Sequence, residues 1–197
     1  MTSTASLTNT ISELAKTFTG RLLQSADPDY EEARRVHNGL IDKRPTVIAR
    51  CRGVADIADA RKLAHEQGLE VAVRGGGHNV AGLSAIDGGM VIDLSLMTGL
   101  RVDPVGRTAH AQGGLTWNLF DRETQLHGLA TTGGTFSTTG IAGLTLGGGI
   151  GWLMGKHGLA LDNLLSVELV LADGRVVQAS AHDNPDLFWW LRGGGGN

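Results

Sequence analysis

The residues best placed to do chemistry are Arg74-Gly75-Gly76-Gly77-His78-Asn79, which follow a short β-branched run, Val71-Ala72-Val73. Consecutive glycines at the end of a strand present a row of backbone N–H groups, with no Cβ atoms to block close approach. Such a concavity suits anionic oxygen, above all a phosphate or pyrophosphate. His78 stands on its rim, where the reactive end of a bound nucleotide could meet an imidazole. A glycine loop after a strand also serves as a plain tight turn, and a lone histidine is often structural. The rest of the chain has to decide between these readings.

Other nucleotide and nucleophile motifs fail on inspection. A GxGxxG fingerprint does not occur, because the sixth position is Val80 when counted from Gly75 and Trp152 when counted from Gly147. Gly155-Lys156 is followed by His157 and makes no Walker loop. His37, His65, His78, His110, His127, His157 and His182 show no metal-ligand spacing, so no metal site is expected. Cys51 has no CxxC partner and reads as a buried structural thiol. Ser84, Ser95 and Ser137 sit in no GxSxG elbow. What remains is a second glycine-rich stretch, Gly133 to Gly151, about 60 residues beyond the first. Thr135, Ser137, Thr138 and Thr139 would let it line a flat ring and hydrogen-bond its edges. Together the two stretches fit a large nucleotide cofactor without a Rossmann fold.

The elements that must position these loops are legible in outline. Met1 to Thr8 reads as an unstructured polar start, followed by a short helix with Leu14 and Phe18 on one side, Ile11 nearby and Gly20 closing it. Tyr30 to Val36 is a second short helix, and Thr46 to Ala49 is strand-like after Arg44-Pro45. A βαβ unit follows. Ile57, Ala60, Leu63 and Ala64 share a helical face within Val54 to Gln67, Gly68 closes that helix, and Leu69 to Val73 leads into the first glycine loop. Met90 to Leu94 is a further strand, and Val102 to Thr108 a hairpin turning near Pro104 and Gly106. Thr116 could cap a helix through Leu126. The second glycine stretch suits buried irregular backbone. Asp173-Gly174 turns a hairpin between Val167–Leu171 and Val176–Ala179, and Pro185 to Leu191 is a closing helix.

Composition narrows the function class. With 17 Lys+Arg against 20 Asp+Glu among 197 residues there is no basic surplus, so no nucleic-acid partner is expected. The single cysteine suits a reducing compartment. No apolar run approaches a membrane span and the amino terminus lacks a secretory pattern, so a cytoplasmic protein without membrane contact is expected. Glycine accounts for 30 residues, about twice the usual share, and it is clustered where backbone would approach something closely.

Read together, the motifs resemble the FAD-binding domain of the vanillyl-alcohol oxidase/p-cresol methylhydroxylase superfamily. Within it they are similar to the berberine-bridge-enzyme-like and 6-hydroxy-D-nicotine-oxidase-like flavoproteins. The carriers are Arg74 to Asn79, Asp87 to Leu94, Gly140-Ile141-Ala142-Gly143, Gly147 to Gly151, Lys156 to Asn163, and Asp186 to Asn197, in that order. The resemblance spans about residues 41 to 197 and implies an α+β chain with the PCMH-type FAD-binding fold. An N-terminal helical segment (1–40) would precede two α/β subdomains, about 41–100 and 101–197, holding an extended FAD between them.

The resemblance also implies roles for residues. His78 would be bonded covalently to the flavin 8α-methyl. Phe136 stands where some relatives place a second, cysteine linkage, so one bond is expected. Cofactor contacts are expected from Arg74, Gly75, Gly76, Gly77, Asn79, Gly82, Thr135, Thr139, Gly140, Ile141, Ala142, Gly143 and Gly148. Ile141 would lie near the flavin carbon where oxygen reacts. The implied activity is an FAD-dependent oxidoreductase, an oxidase taking a hydride from a C–H beside an alcohol or amine and passing electrons to O2. The alternatives are an NADPH-dependent reductase of the same fold with non-covalent FAD, which typically carries Ser in place of His78, and a flavin-binding module without catalysis. Relatives continue past the equivalent of Asn197 into a substrate-binding domain. The catalytic base is therefore expected beyond Asn197, and the chain by itself is expected to be inactive.

Overall fold

The computed structural model describes residues 4–193, so the final glycine run 194–197 lies outside the described residues. The chain divides into two compact units, one of residues 1–96 with 170–176 and one of 97–169 with 177–197.

The first unit is built on a four-stranded sheet of β1 (Arg21–Leu23), β2 (Val47–Arg50), β3 (Val71–Arg74) and β4 (Met90–Asp93). Its spatial order is β1-β2-β4-β3, with β2 and β3 both parallel to β4 and β1 antiparallel to β2. The expected βαβ unit is present, with α3 (Val54–Glu66) as its crossover, but β4 inserts between the two strands that α3 joins. All four residues of β4 are buried, as a central parallel strand covered on both faces requires. One face carries Ile48, Ala72 and Val91 against Leu23 and Tyr30. Alternation sends Val47, Ala49 and Ile92 to the other face, where α3 packs on β4 with Ala60, Leu63 and Ala64 buried. The Tyr30 hydroxyl donates to the Pro45 carbonyl at 2.6 Å, so the polar end of this core residue is satisfied.

Three N-terminal expectations change, one being that the first helix ends at Leu14 and is not closed by Gly20. Residues 4–8, read as an unstructured start, are helical: α1 spans Thr4–Leu14. No glycine or proline interrupts residues 1–19, so nothing in the local sequence prevents an early start. The helix α2 is also shorter than expected, Tyr30–Ala33. The strand β1 has no counterpart in the sequence reading, because three residues are too few to show alternation.

In the second unit, β5 (Leu100–Asp103) and β6 (Thr108–Ala111) form the expected hairpin. The helix α4 (Trp117–Thr124) runs into a 3-10 turn at Gln125–His127, closed by Gly128. The second glycine stretch is not continuous irregular backbone. It contains α5 (Ile141–Leu146), and residues 135–138 are exposed. The helix α6 (Met154–His157) and a 3-10 turn (Ala160–Asn163) follow. The strands β7 (Ser166–Val170) and β8 (Val176–Ser180) pair around Asp173-Gly174, and α7 (Pro185–Leu191) begins on its proline. Among the described residues no helix is long and apolar enough to cross a membrane.

Candidate functional site

The first glycine loop leaves the carboxyl end of β3, the end strand of the sheet and parallel to β4, and open α/β sheets bind ligands beyond such carboxyl ends. Three side chains in register fix this edge: Arg50 and Arg74 are the cross-strand neighbours of Asp93. Asp93 is 1% exposed and accepts from Arg74 Nη2 at 2.8 Å and Arg50 Nε at 3.2 Å. It also accepts from the Ser95 amide and hydroxyl, each at 3.0 Å. Arg74 additionally donates to the Arg35 carbonyl at 3.3 Å. Its guanidinium is therefore committed within the fold, and Arg74 positions the strand end from which the loop departs.

Gly77 takes φ +70°, left-handed backbone in the bend just before His78. Gly82 repeats this at φ +73°, where a Cβ would meet Ile41 at 2.9 Å. Asn79 organises the loop between them. Its carbonyl accepts from the Gly82 amide at 3.1 Å and its Oδ1 from the Leu83 amide at 3.0 Å. Residues 37–43 brace the loop from behind. The His37 amide donates to the Gly77 carbonyl at 3.1 Å and Asn38 Nδ2 to the Val80 carbonyl at 3.1 Å. Lys43 Nζ donates to the carbonyls of Gly82 at 3.3 Å and Ala85 at 3.1 Å. The Ser84 hydroxyl is buried beside them without a hydrogen-bond partner.

His78 is half-buried, and its ring stacks on that of His37 with centroids 3.9 Å apart and planes 14° from parallel. Burial first, and the neighbouring His37 second, hold its imidazole below the usual histidine range. The neutral, nucleophilic form is favoured. Cys51, by contrast, is fully buried with its thiol pushed up to about 12, chiefly by burial, which is the inert structural thiol expected.

In the second unit, the loop before α5 is stapled to the start of α4. The Trp117 and Asn118 amides donate to the carbonyls of Thr139 and Ser137 at 3.1 and 2.9 Å, and the Ile141 amide donates to Leu115 at 2.9 Å. Thr116 is the N-cap residue of α4, but its hydroxyl donates to Asn118 Oδ1 and accepts from no amide of the first turn. Thr135 is exposed, Thr139 half-buried and Gly140 buried. Ile141, Ala142 and Gly143 form the first turn of α5, with Ile141 and Ala142 half-buried and Gly143 exposed. Gly148 is buried after the helix. Close backbone approach explains the neighbouring glycines, since a Cβ at Gly151 would lie 1.9 Å from the Gly133 carbonyl oxygen. Trp117, which packs on Gly133, keeps a buried indole N–H without a partner.

A family profile described as FAD binding domain matches residues 45–180. The chain belongs to that FAD-binding family. Its members bear out the α+β, PCMH-type fold that the motifs imply. The (R)-6-hydroxynicotine oxidase of Paenarthrobacter nicotinovorans is 39% identical over 178 residues, covering 90% of this chain and 39% of that protein. The crystal structure of 6-hydroxy-D-nicotine oxidase from Arthrobacter nicotinovorans matches with a TM-score of 0.88 at 38% identity, covering 90% of this chain and 39% of that one. Phl p 4, a grass pollen allergen with glucose dehydrogenase activity, matches with a TM-score of 0.83 at 29% identity, covering 89% and 38%. The FAD-binding chain thus spans about two fifths of the length of these relatives. The residues fit the cofactor, with left-handed glycines at the carboxyl end of a parallel strand pair, a buried unpartnered hydroxyl at Ser84 and a half-buried histidine whose proton affinity burial lowers. Sequence reasoning missed His37, Lys43 and the partnership of Asp93, although an aspartate ending an all-apolar strand was a visible signal for the last.

Proposed function

We propose that the protein is an FAD-dependent oxidoreductase, an oxidase that holds its flavin covalently through His78. The observation that carries this reading is the placement of a half-buried imidazole directly after the left-handed backbone of Gly77. Backbone amides of Gly75, Gly76 and Gly77, with Asn79 and Gly82 shaping the loop, would hold the pyrophosphate. Thr135, Thr139, Gly140, Ile141, Ala142, Gly143 and Gly148 are proposed as contacts to the rest of the cofactor, and the indole N–H of Trp117 is a further donor available in that unit. Bound FAD would supply the two-electron chemistry, accepting a hydride from a C–H beside an alcohol or amine and reducing O2 to hydrogen peroxide. His78 would contribute a nitrogen lone pair to a bond with the 8α-carbon. Forming that bond would release the imidazole N–H proton, one proton of the methyl and two electrons, for which O2 would be the oxidant. No residue of this chain is assigned the substrate's proton.

The test is acid precipitation of the wild type and His78→Ala after loading with FAD. Yellow colour should stay with the wild-type pellet, with a matching mass increase of the intact chain, and appear in the supernatant of the variant. Flavin retained by the variant's pellet would place the anchor elsewhere.

A further inference from the structure

The stacked pair on the first loop suggests a role for a residue the FAD site has not absorbed. His37 lies outside the glycine motif, on the segment after α2, yet its ring covers that of His78 at 3.9 Å and 14°. The arrangement is built and not incidental. Two hydrogen bonds from consecutive residues straddle His78, one from the His37 amide to Gly77 and one from the Asn38 side chain to Val80. They lock the backbone of residues 37–38 to both shoulders of the loop, which sets the His37 ring in place over its neighbour. His37 is itself exposed, so its ring contributes little to the core and a great deal to the face it presents to His78.

We infer that His37 is a positioning residue, a ring platform that holds the His78 imidazole in the orientation needed to capture the flavin. This rests on the covalent reading above and adds to it a ring that helps to order the nucleophile. Bond formation needs the reacting atoms aligned at near-contact distance, and a side chain free to rotate samples that geometry only part of the time. A stacked partner removes rotamers in which the ring turns away. The lowered proton affinity of His78, to which His37 contributes, acts in the same direction.

The test compares wild type, His37→Ala and His37→Phe, produced in riboflavin-starved cells and then given FAD. Flavin fluorescence reports non-covalent affinity, and acid-stable flavin sampled over time reports capture. The alanine variant should bind FAD about as tightly as wild type but capture it roughly three- to tenfold more slowly, the range a lost ring stack supports. Phenylalanine, which keeps a platform, should return the rate to within about twofold of wild type. Capture by His37→Ala at the wild-type rate overturns the inference. So does a phenylalanine variant as slow as alanine, or an equal loss of affinity and rate in both variants. Acid release of flavin from the wild type overturns the covalent reading and this inference with it, and that outcome is recognised from the wild-type sample alone.

Discussion

At the scale of single residues, the decisive group is Asp93, which sits at the end of β4 with Arg50 and Arg74 on either side. Removing one partner of a buried pair leaves the other charge uncompensated, which typically costs about 3–5 kcal/mol. Asp93→Ala should therefore lower the unfolding free energy measured by urea denaturation by about 3–5 kcal/mol and loosen the loop that Arg74 leads into, weakening FAD binding as well. A loss below about 1 kcal/mol would show that the two guanidinium groups remain solvated and that the edge is held by the strands alone. The aspartate and Arg74 were both visible in the sequence motifs, but their pairing was not. They are 19 residues apart, and only the parallel register of β3 and β4 makes them neighbours.

At the scale of elements, the loop and the helix that follow parallel strands are set by two different devices. Gly82 and Gly68 both adopt left-handed backbone, at φ +73° and +64°. A Cβ at Gly68 meets nothing within 4 Å, whereas one at Gly82 meets Ile41 at 2.9 Å. Gly68→Ala should cost about 1–2 kcal/mol of backbone strain and leave FAD affinity intact. Gly82→Ala should add about 1–3 kcal/mol of overpacking and weaken FAD binding, measured by urea unfolding and flavin titration. Equal flavin loss in the two variants would indicate a general folding effect. The start of α3 is fixed by Asp56, which is 2% exposed. It accepts from the Thr19 amide at 2.9 Å, the Thr19 hydroxyl at 2.8 Å and the Arg52 amide at 2.8 Å. Burial opposes ionisation, but these donors, led by the Arg52 amide, outweigh it and hold the carboxyl below its usual range. A carboxylate whose folded pKa is depressed contributes stability that is present above its unfolded value near 4 and is lost as pH falls through the folded value. Asp56→Asn should thus cost about 1–3 kcal/mol at neutral pH, with the gap to wild type closing below about pH 4. A gap constant from pH 7 down to pH 3 would refute that assignment.

At the scale of the whole molecule, each unit keeps its own core and the apolar surface is unevenly shared. Of the four tryptophans, Trp117 is 3% exposed, while Trp152, Trp189 and Trp190 are 87%, 68% and 61% exposed. In flavin-free protein, acrylamide should quench the emission of three of them readily and leave a protected fraction that disappears in Trp117→Phe. A single, uniformly quenched population would contradict this distribution. Exposed indole rings also favour association, so scattering should rise with protein concentration. The relatives are longer than this chain by more than half their length, which leaves substrate choice and turnover to assays of candidate alcohols, sugars and amines.

The sequence by itself determined what local patterning and ordered motifs can carry. Short strand-like apolar runs marked β2, β3 and β4, a shared apolar face marked α3, Asp173-Gly174 marked the late hairpin, and the order of glycine motifs pointed to the FAD-binding family. Three consecutive glycines before His78 marked the loop at the end of β3. Only the tertiary structure decided that β4 enters between β2 and β3, that the three-residue β1 joins the sheet, and that Asp93 serves two arginines. It alone brought His37 onto His78 and Lys43 beneath the loop. These are pairings between segments tens of residues apart, specified by side-chain fit and backbone approach in the folded chain, and they leave no period or spacing in the sequence from which they could be read.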